Sequence, residues 1–229
     1  MDIALHYEEK GAGEPLILLH GNGEDGSYFK GQIERFSEHY RVIAPDTRGH
    51  GRSPRGSAPF TIRQFAEDLA GFMDGLGISR AIILGFSDGA NIAMRFALDY
   101  PERVRALVLN GGNLDPSGIK RRVQIPIELG YRLTKIFAGR SAEAKGHMEL
   151  LGLMVNESNI RPKELGAIKA PALVIAGTRD MVKDSHTRLI AGSIPEAKLS
   201  IIEGDHFIAA REPERFNREV QEFLRRLKR

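Results

Sequence analysis

Between an apolar run and a helical pattern, the sequence reads Gly85-Phe86-Ser87-Asp88-Gly89. The apolar run, Arg80–Leu84, is typical of a buried strand, and Asn91–Tyr100 has the spacing of a helix that ends before a proline. A serine is exposed at the tip of a strand only where the chain turns abruptly. Glycines two residues before and after it remove the side chains that would collide in that turn. The pattern therefore predicts a sharp turn that presents Ser87 as a nucleophile, with the N-terminal amides of a helix behind it.

Short β-rich runs alternate with helical patterns on both sides of this turn. Six further strands are predicted, at Ile3–Glu8, Pro15–His20, Arg41–Pro45, Val104–Asn110, Ala172–Ala176 and Lys198–Ile202. The clearest helical patterns outside the turn run from Ile62 to Leu76, from Ser185 to Ala191 and from Pro213 to Leu227. This alternation predicts an α/β fold, with a mostly parallel twisted sheet and helices on both faces.

The alternation is interrupted once, between Leu114 and Lys163, where no strand is predicted. Helical fragments occur there around Ile125–Ala138 and Ala142–Val155. We therefore predict a core made of residues 1–113 and 164–229, with residues 114–163 as a short helical insertion. The insertion holds nine Lys or Arg residues against five Asp or Glu residues. This excess favours a solvated basic face, with binding of anionic substrates as the alternative.

The composition excludes several classes of protein. The chain has 229 residues, 41% hydrophobic and 28% charged, which is ordinary for a globular domain. No apolar run is long enough to span a bilayer, the N-terminus lacks the pattern of a signal peptide, and there is no cysteine. These features predict a cytoplasmic protein without disulfides or cysteine-held zinc. The net charge of +3 comes from interspersed charges, so nucleic acid is not an expected partner.

A serine nucleophile needs a general base, and histidine is the usual one. Of the seven histidines, His206 stands apart because it follows the last predicted strand, Lys198–Ile202. The carboxyl ends of parallel strands meet at one edge of the sheet, where open α/β sheets hold their ligands. His206 is therefore the predicted base. His20 and His50 lie beside glycines in turns, and a solvated surface position is the simpler interpretation of the other four.

The acid that orients the base is predicted at Asp180. Gly177-Thr178-Arg179-Asp180 follows the strand Ala172–Ala176 and so ends at the same edge as Ser87 and His206. Asp115 follows another strand and remains the alternative. Asp205 is disfavoured because adjacent side chains in a loop rarely face each other.

A fourth element, His20-Gly21-Asn22-Gly23, follows the strand that ends at this edge near residue 20. Small residues there let backbone amides approach a bound oxygen. The amides of Asn22 and Asp88 would then form a two-donor oxyanion hole. A plain glycine-rich turn is the alternative, but the coincidence with the other three elements in the expected order favours the oxyanion hole.

These residues resemble those of serine hydrolases of the α/β-hydrolase fold, over nearly the whole chain. Gly85–Gly89 resembles the family's nucleophile elbow, with Gly85 and Gly89 as its glycines, and Asp46–Ser53 is similar to a loop that is mainly architectural in the family. The resemblance implies a Ser87, Asp180 and His206 triad that cleaves a small carboxylic ester or related acyl substrate, without metal or cofactor. It also implies that residues 114–163 are a short cap over a shallow or open pocket. The sheet would lack the family's first edge strand.

The elbow also resembles that of valacyclovir hydrolase-type amino-acid-ester hydrolases, since Asp88 follows the serine. Carbon–carbon bond hydrolase, lactonase, amidase, perhydrolase and acyl-transferase activities use the same triad and stay open. A small-molecule receptor or signalling protein of this fold is the alternative from another class. An apolar set in the cap would suit a partner surface or a pocket lid: Ile125, Ile127, Leu129 and Tyr131. The expected partner is a small acyl substrate, with no membrane span, and the chain is expected to be a monomer or homodimer.

Overall fold

The computed structural model describes residues 2–227 and contains a seven-stranded sheet. The strands are β1 (Tyr7–Lys10), β2 (Pro15–Leu19), β3 (Arg41–Pro45), β4 (Ala81–Phe86), β5 (Val104–Asn110), β6 (Ala172–Gly177) and β7 (Lys198–Ile202). Their order is β1-β3-β2-β4-β5-β6-β7, and only the pair β1 and β3 is antiparallel. The predicted mostly parallel sheet is confirmed, with β1 at its edge.

Helices cover both faces of the sheet. They are α1 (Lys30–Phe36), α2 (Ile62–Gly75), α3 (Asp88–Asp99), α4 (Arg121–Phe137), α5 (Ala142–Asn156), α6 (Asp184–Ser193), α7 (Ile208–Arg211) and α8 (Pro213–Arg226). The apolar sides of α2, α3 and α6 pack on one face, and those of α1, α7 and α8 pack on the other. Among the helices of residues 2–227, none combines the length and apolarity that crossing a bilayer requires.

Strand β2 shows why the central strands read as continuous apolar runs. Ile17 and Leu19 point into the core under α2 and α3, whereas Leu16 and Leu18 point into the core under α1 and α8. Successive side chains of a strand alternate between the two faces, and here both faces are covered. Because β2 to β7 are parallel, their carboxyl ends lie at the same edge of the sheet, and the loops that follow them lie there together.

The first strand differs from its predicted bounds, Ile3–Glu8. It begins at Tyr7 because its partner β3 ends at Pro45, which lies opposite Tyr7 in the antiparallel register. The preceding residues pair with the loop after β3 instead: the N–H of His6 donates to Ser53 Oγ at 2.8 Å. The predicted strand therefore starts too early, because the first part of the apolar run lies beyond the end of the sheet.

Two helices, α1 and the four-residue α7, are absent from the sequence prediction, and α4 begins earlier than predicted. Helix α1 was not predicted, because its buried side includes Gln32, whose Nε2 donates to Ala209 O at 2.8 Å. A polar residue on the inner face obscures the apolar periodicity of a seven-residue helix. Helix α4 begins at Arg121, four residues before the predicted start at Ile125, because its first turn is closed by hydrogen bonds to Lys120 O.

Helices α4 and α5 form a helical hairpin, residues 121–156, between β5 and β6. Its entry is tied to the loop after β6 by an isolated β-bridge between Ile119 and Val182. Helix α5 contacts the loops of the core: Glu149 pairs with Arg55 at 2.7 Å, and Leu150 O accepts from the side chain of Asn22 at 2.7 Å. Helix α5 is therefore the side of the hairpin that touches the core.

A buried ion pair fixes the loop after β3. The guanidinium of Arg48 is fully buried and donates two hydrogen bonds to the Asp68 carboxylate, at 2.6 and 2.7 Å. A further bond links Arg48 to Asp2 at 2.6 Å, and Asp68 raises the pKa of Arg48. Because Arg48 and Asp68 are both desolvated, removal of Asp68 would leave the buried guanidinium with only the partly exposed Asp2 as a counter-charge.

We expect Asp68→Ala to lower the free energy of unfolding by about 3–5 kcal/mol, because it leaves the buried Arg48 guanidinium without its bidentate partner. The measurement is urea unfolding near neutral pH. The control is Glu38→Ala, which removes an exposed partner of Arg35 and should change stability by less than about 0.5 kcal/mol. Equal losses in the two variants would contradict a specific role for the buried pair.

Candidate active site

Ser87 occupies the sharp turn between β4 and α3. Its backbone has φ 52° and ψ −119°, a conformation that L-residues rarely adopt and that costs about 1–3 kcal/mol. The flanking glycines make room for the turn. A Cβ at Gly85 would lie 2.2 Å from Gly89 O, and a Cβ at Gly89 would lie 2.0 Å from Leu19 O. Neither position accepts a side chain without moving backbone, as the sequence pattern predicts.

Asp180 and His206 are hydrogen-bonded to each other at the same edge of the sheet. His206 Nδ1 lies 2.7 Å from Asp180 Oδ1, which also accepts from the N–H of Val182 at 2.8 Å. The side chains are 5% and 3% exposed, so water does not compete for this bond. Because the carboxylate accepts, Nδ1 carries the ring proton and Nε2 keeps its lone pair. Nε2 of His206 is buried and has no hydrogen-bond partner within residues 2–227.

The imidazole of His206 lies over the ends of β4 and β5, next to the turn that holds Ser87. Its ring centroid is 4.8 Å from that of Phe86, the residue before Ser87. A Cβ at Gly111 would lie 2.8 Å from the imidazole, and the residue before Gly111, Asn110, accepts the N–H of Ser87 at 2.8 Å. The structure therefore brings the three predicted residues to one place, and their catalytic roles stay a prediction.

The two other candidate acids have different partners. Asp115 Oδ1 accepts from the N–H of Ser117 at 2.8 Å and caps a short 3-10 helix. Asp205 Oδ1 accepts from the N–H of Phe207 at 2.9 Å, and its Oδ2 pairs with Arg211. In the part of the chain that the structure describes, neither carboxylate is hydrogen-bonded to His206.

The loop after β2 and the start of α3 present two free backbone donors. Asp88 is the first residue of α3, and neither its N–H nor that of Asn22 donates to a protein acceptor within residues 2–227. The side chain of Asn22 donates to Leu150 O, which holds the loop under α5. These are the two amides that the sequence analysis assigned to an oxyanion hole, and that role also stays a prediction.

His20 positions one of these amides, which the sequence analysis did not anticipate. Its Nε2 accepts from the N–H of Thr47 at 2.9 Å, so Nδ1 carries the proton and donates to Gly21 O at 2.7 Å. Gly21 C=O and Asn22 N–H belong to one planar peptide group. The imidazole therefore fixes the direction in which the Asn22 N–H points. Burial lowers the pKa of His20 to about 4, so the ring stays neutral near pH 7.

Two carboxyl groups beside the site have raised pKa values. Burial raises the pKa of Asp88 to about 6; its Oδ1 accepts from Asn91 at 3.1 Å, but Oδ2 has no partner within residues 2–227. Burial raises the pKa of Glu24 to about 7, against the opposing hydrogen bond from the N–H of Gly21. Glu24 was not singled out from the sequence. The sequence offers one indication of its proximity to the site: Glu24 directly follows His20-Gly21-Asn22-Gly23.

The loop after β3 is held by hydrogen bonds among its own residues and by one from Gly26. Asp46 Oδ1 accepts from Gly26 N–H at 2.9 Å and Oδ2 from Arg52 N–H at 2.8 Å, and His50 Nδ1 contacts Arg48 O at 3.0 Å. These contacts fit an architectural loop. Across residues 2–227, no cluster of three or more His, Asp or Glu side chains is placed to hold a metal ion.

The chain is similar to known proteins over most of its length. A family profile described as alpha/beta hydrolase fold matches residues 14–128. The chain is 33% identical to a 2-hydroxy-6-oxononadienedioate/2-hydroxy-6-oxononatrienedioate hydrolase from Burkholderia vietnamiensis, over 98% of this chain and 92% of that protein. It is 27% identical to 3-oxoadipate enol-lactonase 2 from Acinetobacter baylyi, over 98% of this chain and 94% of that protein.

A solved structure gives the same result. The crystal structure of the enol-lactonase from Burkholderia xenovorans superposes with a TM-score of 0.82 and 26% sequence identity, covering 97% of this chain and 96% of that one. These relatives are named as a hydrolase or a lactonase and match along almost their full lengths. Because profile, relatives and superposition converge on one fold, the chain belongs to the alpha/beta hydrolase family and is a hydrolase.

Proposed function

We propose that this chain is a serine hydrolase that cleaves a small carboxylic ester or related acyl substrate through an acyl-enzyme. The observation that supports it most is the 2.7 Å bond between His206 Nδ1 and Asp180. That bond leaves the buried Nε2 as a free proton acceptor at the sheet edge that carries Ser87. A nucleophile, a base and a group that orients the base are the parts that acyl transfer requires.

In the proposed first half-reaction, Ser87 Oγ attacks the carbonyl carbon of the substrate and its proton passes to His206 Nε2. Asp180 stabilises the imidazolium through Nδ1–H. The tetrahedral intermediate then collapses: the bond to the leaving alcohol breaks, and the alcohol oxygen takes the proton from Nε2. An ester between Ser87 and the acyl group remains.

The negative oxygen of the tetrahedral intermediate would be held by the N–H groups of Asn22 and Asp88. Both are free to donate, and Asp88 opens α3, so the helix dipole adds to the stabilisation. One such donor is worth about 3–4 kcal/mol in the transition state. In the second half-reaction, His206 removes a proton from water, the water oxygen attacks the acyl carbon, and Ser87 leaves with the proton from Nε2.

We propose that residues 114–163 act as a short cap over a core of residues 1–113 and 164–229. The hydrogen bond from Asn22 to Leu150 O supports this role, because it places α5 beside the proposed oxyanion donors. A small acyl substrate would then enter between α5 and the loops at the sheet edge. We also propose that the enzyme works in the cytoplasm, as its lack of cysteine allows, and as a monomer or homodimer.

Hydrolysis of a carbon–carbon bond is the second candidate. The 33% identity to a hydrolase whose name gives a 2-hydroxy-6-oxo dienedioate as its substrate favours it. A lactone is a cyclic ester, so the enol-lactonase relative favours cleavage of an acyl–oxygen bond instead. The same triad serves both bonds, and only the substrate pocket separates them.

We expect the wild-type protein to turn over p-nitrophenyl esters many times, within a chain-length series from acetate to decanoate at pH 8. Ser87→Ala and His206→Ala should each lower kcat/KM by about 10⁴-fold or more, because nucleophile and base act as one unit. A metal chelator should have no effect. The measurement is the steady-state release of p-nitrophenolate.

Matched acid variants serve as the control. Asp180→Asn should lower kcat by about 10³–10⁴-fold, because it removes the charge that holds the imidazole tautomer. Asp115→Asn, which alters the cap of a surface 3-10 helix, should stay within about threefold of wild type. A larger loss in Asp115→Asn would contradict the assignment.

Turnover of a 2-hydroxy-6-oxo dienedioate by folded protein that is inactive on every ester would support the second candidate. Binding of ligands without repeated turnover would support a receptor.

The His20 hydrogen bond predicts a kinetic effect at a residue outside the triad. We expect His20→Ala to lower kcat by about 10–100-fold with a change in KM below about threefold, because a misdirected Asn22 N–H weakens only the transition state. His20→Asn places an amide N–H near the position of Nδ1 and should recover part of kcat. Equal kcat in the Ala and Asn variants, both folded by circular dichroism, would contradict the positioning role.

The buried carboxylate of Asp88 costs stability at neutral pH. Its pKa is raised from 3.8 to about 6 by burial, so the folded chain binds more protons than the unfolded chain between these values. The free energy of unfolding therefore falls as pH rises through this window and stays lower above it. A destabilising carboxylate beside the proposed nucleophile fits a functional site.

We expect Asp88→Asn to raise the free energy of unfolding at pH 8 by about 1–3 kcal/mol, because the variant has no buried charge to desolvate. The gain should shrink towards pH 4, where the folded-state carboxyl is protonated and no buried charge remains. Urea unfolding of both proteins across pH 4–8 measures the difference. A gain that is independent of pH would show that packing, and not ionisation, explains it.

A further inference from the structure

The outer face of α4 is an exposed apolar stripe. It consists of five side chains that are 43–69% exposed: Ile125, Leu129, Leu133, Ile136 and Phe137. Within residues 2–227, six large hydrophobic side chains are exposed, and these are five of them. Their spacing of three and four residues places them on one side of the helix. Scattered exposed apolar residues need no explanation, but a continuous stripe marks an interaction surface.

The rest of α4 is used for packing within the hairpin. Gln124 is buried against α5, a Cβ at Gly152 would lie 3.3 Å from the ring of Tyr131, and a Cβ at Gly130 would lie 3.4 Å from Leu151. Tyr131, one of the apolar residues predicted to suit either a partner surface or a pocket lid, therefore faces α5. Since α5 carries the contacts to the core, the stripe lies on the side of α4 that faces away from α5.

The stripe is accompanied by unpaired positive charge. Helix α4 carries four basic side chains, Arg121, Arg122, Arg132 and Lys135, and one acidic side chain, Glu128. All four basic residues are exposed, and in the described part of the chain none of them forms an ion pair. On a helical projection, Arg121, Arg132 and Lys135 lie along one border of the stripe, and Arg122 lies at its N-terminal end.

The positive charge of the whole chain is concentrated in this region. Residues 114–163 hold nine basic and five acidic side chains, whereas the remaining residues hold 24 basic and 25 acidic ones. The core is therefore nearly neutral, and the excess that gives the net charge of +3 lies in and around the hairpin. A partner for this surface must cover apolar side chains and neutralise cations together.

We propose that the outer face of α4 docks on an anionic lipid surface. A helix with an apolar stripe bordered by Lys and Arg lies in the plane of a membrane interface, with its apolar side chains among the acyl chains and its cations at the phosphates. The 17-residue α4 fits this arrangement without crossing the bilayer. The surface is separate from the proposed active site, so docking is independent of the bond that the enzyme cleaves.

A second copy of the chain fits the same face less well. A two-fold interface through the stripe would bring Arg132 and Lys135 of both copies close together, because each copy presents the same patch to the other. Helix α4 offers only Glu128 to balance them. One carboxylate in each copy leaves an excess of positive charge that opposes association, whereas anionic headgroups neutralise it.

The test is sedimentation of the full chain with vesicles of phosphatidylcholine alone or of phosphatidylcholine mixed with phosphatidylglycerol. We expect binding to the anionic vesicles to exceed binding to the neutral ones by at least about tenfold, and to weaken in about 0.5 M salt. Leu129→Glu with Leu133→Glu should abolish it, and Arg132→Glu with Lys135→Glu should lower it by at least about tenfold.

Matched controls carry the same changes elsewhere on the surface. Leu189→Glu alters the sixth exposed apolar side chain, and Arg218→Glu with Arg225→Glu reverses two exposed charges on α8. Both should bind like wild type, and all variants should keep wild-type melting temperature and ester turnover. Absence of binding to anionic vesicles, or equal losses in the controls, would overturn the proposal. A dimer seen by light scattering and abolished by Leu129→Glu with Leu133→Glu, without vesicle binding, would assign the face to a second copy.

Discussion

The contact between Gly89 and the carbonyl of Leu19 is the constraint on which the site depends. Only the absence of a side chain at Gly89 lets the first turn of α3 rest against the end of β2. The turn that makes this approach contains Ser87 in its strained backbone conformation, and α3 begins directly after it at Asp88. The position of the nucleophile and that of the proposed Asp88 donor thus depend on the same close packing.

Most of the fold could be predicted because both faces of the sheet are covered. Strands such as β2 and β4 are then apolar at every position, and the turns between them carry glycines. The prediction was wrong where local pattern and tertiary contact disagree. Strand β1 is limited by the end of its partner β3, and α1 buries a glutamine that hydrogen bonds satisfy. Neither fact is visible in periodicity, since both depend on residues distant in the chain.

The site residues that lie directly after the ends of strands could be predicted from the sequence. Placing Asp180 and His206 after successive strands was sufficient to expect their meeting, and the structure joins them directly. Position after a strand does not reveal residues such as His20, which orients a backbone peptide group and does not contact a substrate. His20 lies in the expected loop, but its importance arises from the acceptor and donor that its two ring nitrogens meet. The same holds for Glu24, whose raised pKa comes from burial and not from any motif.

The hydrogen-bond partners of a buried imidazole decide which of its ring nitrogens can receive a proton. In His20, Nε2 is occupied by the N–H of Thr47, and in His186 it is occupied by the N–H of Leu114 at 2.9 Å. The hydrogen bonds of these two rings hold neighbouring loops in place at the sheet edge. In His206 the carboxylate occupies the opposite nitrogen, which leaves Nε2 open. Histidine thus has two roles in these loops. His20 and His186 hold loops together through Nε2, whereas His206 is bound at Nδ1 and keeps Nε2 free to accept a proton.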